Sequence, residues 1–470
     1  MKKLLLAVFV CLFELGITFG QLSFTENVLT SSEQNVSGLI IADLNNDNSN
    51  DIVCSSINKE IVWWKNNQNT SFGTKKNIDN SFNGGMYLHV ADINNDGFKD
   101  VVASGAGTDG GSVVWYKSNG TDFESWERIP ITNYFYYSHG VFAGDIDNDG
   151  DLDVVSASAQ LGKIAWFENT ASNGDGSSWT QHGIISNFPA SQAVCLADVN
   201  KDGNLDVIGA SCDNNIIVCF INDGSGTDWS QQVTVDNQIQ LPHWLGTLDF
   251  DNDGDTDIYA TGYLSGEISW YENDMENSSW IKHKVITNFS YTLAVSAGDL
   301  DKDGDIDFIG TTAGGSKVVS FENKGDNLNF TRKTIGYSYA GAWPVSIGDL
   351  NNDGYLDAVA GANSTGKVAW FKNNLTTTSQ PFLRDTNQSL NVFPVPNSGC
   401  FKATVENYFI GEATARIICI SGQTVYSEEI SKNQKTLNLD FRNLDLPQGL
   451  YLLNIKCGND FLTKRFEVIR

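Results

Sequence analysis

Carboxylates and amides recur in this chain in seven nine-residue runs of the form D-x-[DN]-x-D-[GN]-x-x-D. In such a run the side chains at positions 1, 3, 5 and 9 and the backbone carbonyl at position 7 can converge on one cation. Position 1 is Asp43, Asp92, Asp145, Asp198, Asp249, Asp299 and Asp349, and position 5 is Asp47, Asp96, Asp149, Asp202, Asp253, Asp303 and Asp353. Position 3 is Asn45, Asn94, Asn200 and Asn351 in four copies and Asp147, Asp251 and Asp301 in three. The carbonyl at position 7 comes from Ser49, Phe98, Asp151, Asn204, Asp255, Asp305 and Tyr355. Position 9 is Asp51, Asp100, Asp153, Asp206, Asp257, Asp307 and Asp357. All donors are oxygens, so a hard cation is implied. Calcium suits a flexible site built from protein oxygens better than magnesium, which retains its waters. The competing reading is seven Asx-type turns, because Asp, Asn and Gly favour turns in any case. One ligand spacing kept through all seven copies favours calcium, up to seven ions. Position 6 needs a residue tolerant of positive φ; it is Gly in six copies and Asn48 in the first.

The first aspartates are 49, 53, 53, 51, 50 and 50 residues apart, a period that marks a repeat array whose units bury their apolar faces against each other. Each unit has an apolar strand, the loop, a second strand, a Gly-containing turn, a third strand such as KIAWFEN and a fourth alternating segment. Short strands between turn signals indicate an antiparallel meander. Four strands in each of seven units, without helical periodicity, predict an all-β chain with a seven-bladed β-propeller over residues 21–374. A stacked solenoid is the alternative, and it would need polar caps. The third strand carries an aromatic in every copy (Trp64, Tyr116, Phe167, Phe220, Tyr271, Phe321 and Phe371), usually after a Trp, as expected for packing between blades. The seventh unit lacks its own fourth strand, and an unpartnered segment, residues 22–30, is expected to complete it and close the ring. Beyond a polar linker, 375–390, the period stops, and residues 391–470 read as a small Ig-like β-sandwich.

The 470 residues carry a formal net charge of −27, which argues against a nucleic-acid partner. Of the 57 acidic side chains, 27 are aspartates of the seven loops, so the acidity reads as metal-binding capacity. Residues 1–20 combine a Lys2–Lys3 start, a short apolar run and small residues before Gln21, the pattern of an export signal cleaved after Gly20. No later stretch is apolar enough to span a bilayer as a helix. Removal of that signal leaves seven cysteines, which is no disulfide framework. Cys54, Cys195, Cys400, Cys419 and Cys457 read as small buried hydrophobes, and Cys212 and Cys219 flank a hairpin turn where they could bridge.

The loops resemble those of FG-GAP/VCBS repeats, which build the propeller of integrin α subunits and of many secreted bacterial proteins; the match covers residues 22–373. The resemblance implies structural calcium at each matching loop, and it leaves activity open between adhesion modules, lectins and some polysaccharide-degrading enzymes. The C-terminal segment resembles the type A sorting domain of the type IX secretion system of Bacteroidota, through FPVPNSG, SGQTVYSEEI, LPQGLYLLNI and the basic Lys464-Arg465. Its Phe393-Pro394-Val395-Pro396 departs from the family's tyrosine-proline-asparagine-proline opening. That resemblance implies the secretion machinery as a partner, and a secreted or outer-surface location.

Gly105-Ala106-Gly107-Thr108-Asp109-Gly110 fits G-x-G-x-x-G but sits in a hairpin, where it makes no phosphate site, and metalloprotease, serine-hydrolase and P-loop motifs are missing. No catalytic residue is assigned. The segments leading into each first strand are aromatic-rich and lie opposite the loops. From them Tyr87, Tyr137, His139, His243, Trp244, Tyr291, Tyr339 and Trp343 form a candidate ligand face for sugar rings or a peptide; otherwise these side chains plug the channel mouth. The expected function is a calcium-binding surface module for carbohydrate or protein ligands. The alternative is a polysaccharide lyase or glycosidase using the same face.

Overall fold

The computed structural model describes residues 22–375 except 69–70, 108–111, 121–122 and 275–278, together with the strands and some connections of 389–468. The export signal and residues 376–388 lie outside the described residues, as does part of the Gly105–Gly110 run. The chain divides into two units after Leu375.

In the first unit the apolar and polar alternation resolves into seven four-stranded antiparallel sheets. The innermost strands are Val36–Ala42, Gly85–Ala91, Ser138–Gly144, Ser191–Ala197, Pro242–Leu248, Thr292–Gly298 and Ala342–Gly348. Each packs on the inner strand of the next sheet, and the seventh packs on the first, so the blades form a closed ring. Second strands such as Asp153–Ser158 and Asp307–Thr312 are buried along their whole length, which explains their unbroken runs of small and β-branched residues. The seventh sheet takes its outer strand from the other end of the chain. Phe24–Thr30 pairs antiparallel with Val368–Asn373, in a register that sets Phe24 opposite Asn373 and Val28 opposite Ala369. Tyr339 Oη donates to Glu26 Oε1 on that strand at 2.6 Å, and Lys333 Nζ donates to the Leu22 carbonyl at 3.0 Å.

The aromatic pairs of the third strands divide between the two seams of a blade. The first member faces the next blade: Trp166 Nε1 donates to Gly226 O at 2.9 Å, and Trp270 Nε1 donates to Asn327 O at 3.1 Å. The second member meets an aromatic ten residues before the loop: Phe82 with Tyr116, Phe135 with Phe167, Phe188 with Phe220, Phe289 with Phe321 and Tyr339 with Phe371. These lead-in aromatics are buried between sheets. The corresponding residue of the first blade is Glu33, which is buried and paired with Lys75 at 2.9 Å.

Two boundaries move from the sequence reading. Leu375, read as linker, is buried in the propeller core, and residues 389–390 begin the strand Ser389–Phe393. The Cys212–Cys219 bridge is absent: Cys219 stands opposite Ile208 in the ladder, while the Cys212 thiol donates to Pro242 O at 3.0 Å. In the second unit a three-stranded sheet (Ser389–Phe393, Lys402–Phe409, Gln434–Asp440) and a four-stranded sheet (Thr424–Ser431, Glu412–Cys419, Gly449–Cys457, Asp460–Val468) share one core around Ala403, Ile417, Leu453 and Phe466.

The closing strand generates a prediction. Removing residues 21–31 strips the seventh blade of its ladder and exposes the edge of Val368–Asn373. The loss of several kcal/mol, at about 2–4 °C per kcal/mol for a large domain, should lower the Tm of the propeller by about 5 °C or more. An unchanged calorimetric transition would refute the idea that this strand holds the ring shut.

Candidate metal centres and ligand face

Each acidic loop joins the first and second strands of its blade and is wound by its own side chains. The position 1 carboxylate accepts the backbone N–H of position 6 in all seven copies, from Asn48 to Asp43 at 2.8 Å through Gly354 to Asp349 at 2.7 Å. The position 5 carboxylate accepts the N–H of position 7, again in all seven. Position 6 has φ between 64° at Asn48 and 98° at Gly304, as its residue type requires. Position 4 is also left-handed in every loop (Asn46, Asn95, Asn148, Lys201, Asn252, Lys302, Asn352), a constraint the sequence reading missed; asparagine in five copies was its signal.

In six of the seven loops the side chain at position 4 reaches the next loop. Asn46 Nδ2 donates to Gly97 O at 2.6 Å, Asn148 Nδ2 to Asn204 Oδ1 at 2.8 Å and Asn252 Nδ2 to Gly304 O at 2.9 Å. Asn352 Nδ2 joins the seventh loop to the first, donating to Asn48 O at 3.3 Å. Lys201 forms an ion pair with Asp255, and the Lys302 ammonium lies 4.6 Å from the Tyr355 ring centroid.

Position 9 behaves differently from the other ligand positions. Its carboxylate is buried and accepts two backbone N–H groups in each blade. One comes from position 2 of its own loop, as Ile146 to Asp153 at 2.9 Å and Leu300 to Asp307 at 2.9 Å. The other comes from the third strand or its end, as Asn169 to Asp153 at 2.9 Å and Asn323 to Asp307 at 2.7 Å. The asparagine that supplies this N–H in six blades then reaches outward. The Nδ2 groups of Asn66, Asn222, Asn273 and Asn373 donate to Leu350, Ile146, Val199 and Leu300 carbonyls in a neighbouring loop, at 2.7 to 2.8 Å. This staple was also missed, although an Asn two residues after the third-strand aromatic is visible in most copies.

Burial raises the pKa of all seven position 9 carboxyls, against the lowering effect of their backbone donors. The values are about 6 at Asp206, about 7 at Asp51, Asp100, Asp257 and Asp357, and about 8 at Asp153 and Asp307. Nearby loop aspartates push each further up. A divalent cation would relieve both effects, and the donor set fits one. The Oδ1 atoms of Asn45 and Asp249 are buried without a hydrogen-bond partner, as acceptors awaiting a cation would be. In Asp145/Asp147/Asp153, Asp249/Asp251/Asp257 and Asp299/Asp301/Asp303, three carboxylate oxygens lie within 4.8 Å of one another, so these clusters could hold a metal ion.

On the opposite face the eight residues read as a ligand site separate into three groups. Tyr87 and Trp244 meet across the channel at 5.1 Å between ring centroids, Tyr87 meets His139 at 6.4 Å, and His243 meets Trp343 at 5.8 Å. These five form a plug, and two of them, Tyr87 and Trp244, line a cavity of about 260 Å³ among the inner strands, with His89, Phe142 and Cys195 in its wall and Tyr259 reaching in from a second strand. Burial holds the imidazoles of His139 and His243 neutral, at about 3 and about 4, with each His139 proton further opposed by His243. Tyr339 does not belong to the face: it is fully buried between blades, where its hydroxyl is committed to Glu26. The lead-in residues Phe135, Phe188 and Phe289 are core for the same reason.

Tyr137 and Tyr291 alone among the eight are open to solvent, 45% and 46% exposed, beside Tyr134, Tyr136 and Tyr337. Tyr137 stacks on His139 at 5.7 Å, and Tyr291 meets Tyr263 at 5.1 Å. Both sit at a turn position, eight residues before the loop aspartate, that is left-handed in every blade; their φ values are 54° and 56°. For a bulky side chain that conformation costs roughly 1–2 kcal/mol.

An FG-GAP-like repeat model matches residues 43–103, 100–156, 145–209, 198–260, 249–310 and 299–360, and a secretion system C-terminal sorting domain model matches 391–469. Among solved structures, two crystals of BBS1N in complex with ARL6DN, soaked with mercury and with lead, share the fold. Their TM-scores are 0.52 and 0.51 at 9% and 12% identity, over 76% of this chain and 98% of theirs. No curated protein sequence matches this chain.

The raised carboxyls set a pH dependence with a definite sign. A folded pKa above the unfolded value of about 4 stabilises below that value, and the contribution is lost as pH rises through the folded pKa. Metal-stripped protein should therefore lose Tm between about pH 5.5 and pH 8.5, the window set by values of about 6 to about 8. A stripped protein that grows more stable over that interval would contradict the burial of these groups. Asp307→Leu leaves two buried N–H groups unpaired at about 1–3 kcal/mol each, and should destabilise by about 2–6 kcal/mol in urea titration.

Proposed function

Because this chain belongs to the FG-GAP-like repeat family, we propose that it is a calcium-braced propeller that binds an extracellular carbohydrate or protein ligand through its tyrosine face. The sorting domain makes it a secreted or outer-surface protein of a Bacteroidota-type bacterium, and the type IX secretion machinery is its export partner. Calcium in the loops, up to seven ions, supplies cross-linking charge; the residues that would hold it are those at positions 1, 3, 5, 7 and 9 of each loop. The loops' own hydrogen bonds pre-shape them, so an ion completes a wound turn and need not create one.

The observation that carries the binding role is the exposure of Tyr137 and Tyr291 on left-handed backbone above a closed aromatic plug. The left-handed turn itself recurs in every blade, so what sets Tyr137 and Tyr291 apart is a large ring held out to solvent at a position filled elsewhere by Asn35, Gly84, Ala190, Leu241 and Gly341. Flat tyrosine faces with hydroxyl rims suit sugar rings, whose axial C–H groups stack while their hydroxyls hydrogen-bond. Trp244, Tyr87, His139, His243 and Trp343 support this face from beneath. The hydrolytic reading is less well supported, since His139 and His243 are enclosed within the plug.

Two measurements test the proposal. Each calcium site at a hundredfold excess over Kd adds about 2.7 kcal/mol, so chelation should drop the Tm by about 5–10 °C for each site occupied, at about 2–4 °C per kcal/mol; indifference to chelator removes calcium from the account. On glycan and extracellular-protein arrays, Tyr137→Gly and Tyr291→Gly should abolish binding while leaving stability unchanged or about 1 kcal/mol higher, because glycine relieves the strain. Binding untouched by both substitutions sinks the tyrosine face, and release of reducing ends from a bound polysaccharide would establish the enzymatic reading instead.

A further inference from the structure

We propose that the seven loops are of two kinds, and that only those of blades three, five and six form tight calcium sites, each served by a glutamate from its third strand. This rests on the calcium reading above and refines it. Three sequence positions change together. Where position 3 is Asp (Asp147, Asp251, Asp301), position 7 is also Asp, and the residue after the third-strand aromatic is Glu168, Glu272 or Glu322. Where position 3 is Asn, position 7 is Ser, Phe, Asn or Tyr, and the third-strand residue is Lys65, Lys117, Ile221 or Lys372. Nothing in the propeller fold requires that agreement, because all seven loops share one backbone.

The structure sets each glutamate beside its loop: Glu168, Glu272 and Glu322 immediately precede the asparagines whose backbone N–H groups end on the position 9 carboxylates, Asn169 on Asp153 at 2.9 Å, Asn273 on Asp257 at 2.8 Å and Asn323 on Asp307 at 2.7 Å. Each glutamate is held in place. His182 Nε2 lies 2.6 Å from Glu168 Oε2 and stacks on Trp166; His283 Nε2 lies 2.7 Å from Glu272 Oε2 and stacks on Trp270; Lys324 pairs with Glu322 at 2.5 Å. Partners that orient a carboxylate in this way are what a metal site needs around its ligands. Among the described residues, three carboxylate oxygens approach within 4.8 Å in these same three loops, the position 3 aspartate being one of the three each time.

Blade one shows the opposite arrangement. Lys65 Nζ lies 3.0 Å from Asp47 Oδ2, so a side-chain cation already sits on a ligand carboxylate. A loop with three aspartates and a lysine on a ligand side chain offers an ion less negative charge than one with five aspartates and a glutamate; the Lys201 pair in blade five falls on the side chain of Asp255, a position whose backbone carbonyl would face the ion. Affinity in oxygen sites follows the ligand charge count and rigidity, so the two kinds should differ widely.

Calcium titration of metal-stripped mature protein by calorimetry with a competing chelator, with metal counted by mass spectrometry, tests this. Three ions should bind tightly, and Glu168→Gln, Glu272→Gln and Glu322→Gln should each weaken one of them by about tenfold or more. Circular dichroism of each variant in saturating calcium checks that it is folded. Asn45→Asp combined with Lys65→Glu should raise the tight count to four, a gain that misfolding cannot imitate. Seven equivalent ions, or a tight count that neither set of substitutions moves, overturns the proposal while leaving calcium in place. No bound calcium at all overturns the calcium reading itself.

Discussion

A buried carboxylate at the end of each loop fixes this propeller. The aspartate at position 9 is the first residue of a second strand, so its side chain lies under the loop and inside the sheet. Two backbone N–H groups end on it, one from the loop above and one from the third strand beside it. Loop, second strand and third strand are thereby tied at one point, and the asparagine of the third strand extends the tie to a neighbouring blade. A lone buried charge of this kind is costly, and two neutral donors offset only part of it. Seven such points tie the blades together yet leave uncompensated negative charge along one rim, the condition a divalent cation would correct.

That constraint explains what could be read from the sequence. The period, the loop and the aromatic third strands are local signals, repeated until chance is excluded, and they carried the blade count and strand order. Position 9 was read as a ligand by its spacing, but its hydrogen-bonding task was not legible, because the third-strand donors it accepts lie 15 to 18 residues away. The left-handed position 4 was written in asparagines that resemble ordinary loop composition. Its two lysines hid the rule, since Lys201 and Lys302 adopt the conformation while reaching across to the next blade.

The candidate ligand face was harder, and for a related reason. Aromatics that fill a seam and aromatics that face solvent occur two residues apart in the same lead-in segment. Tyr339 and Tyr291 look alike there. One is ten residues before its loop and turns into the blade, where Glu26 awaits its hydroxyl; the other is eight before and is thrown outward by a left-handed turn. Alternation along a strand would have separated them had the turn been foreseen. Counting back from the loop aspartate, blade by blade, recovers the distinction, so the repeats held information that no single segment showed.

The two faces of the wheel consequently have different physics. The loop rim is acidic, cross-linked between blades and rigid, and its chemistry repeats around the ring with variation in only a few positions. The opposite face breaks that symmetry. Its plug is assembled from blades two, three, five and seven, whereas the exposed, strained tyrosines belong to blades three and six. Repeated structure supports a scaffold, and departures from the repeat are where a fold of this kind gains an identity. Hydrogen bonds between neighbouring loops tie the blades along that rim, so rings on separate blades are held at a fixed spacing. Such a spacing would let two weak contacts act on one extended ligand as a single binding event.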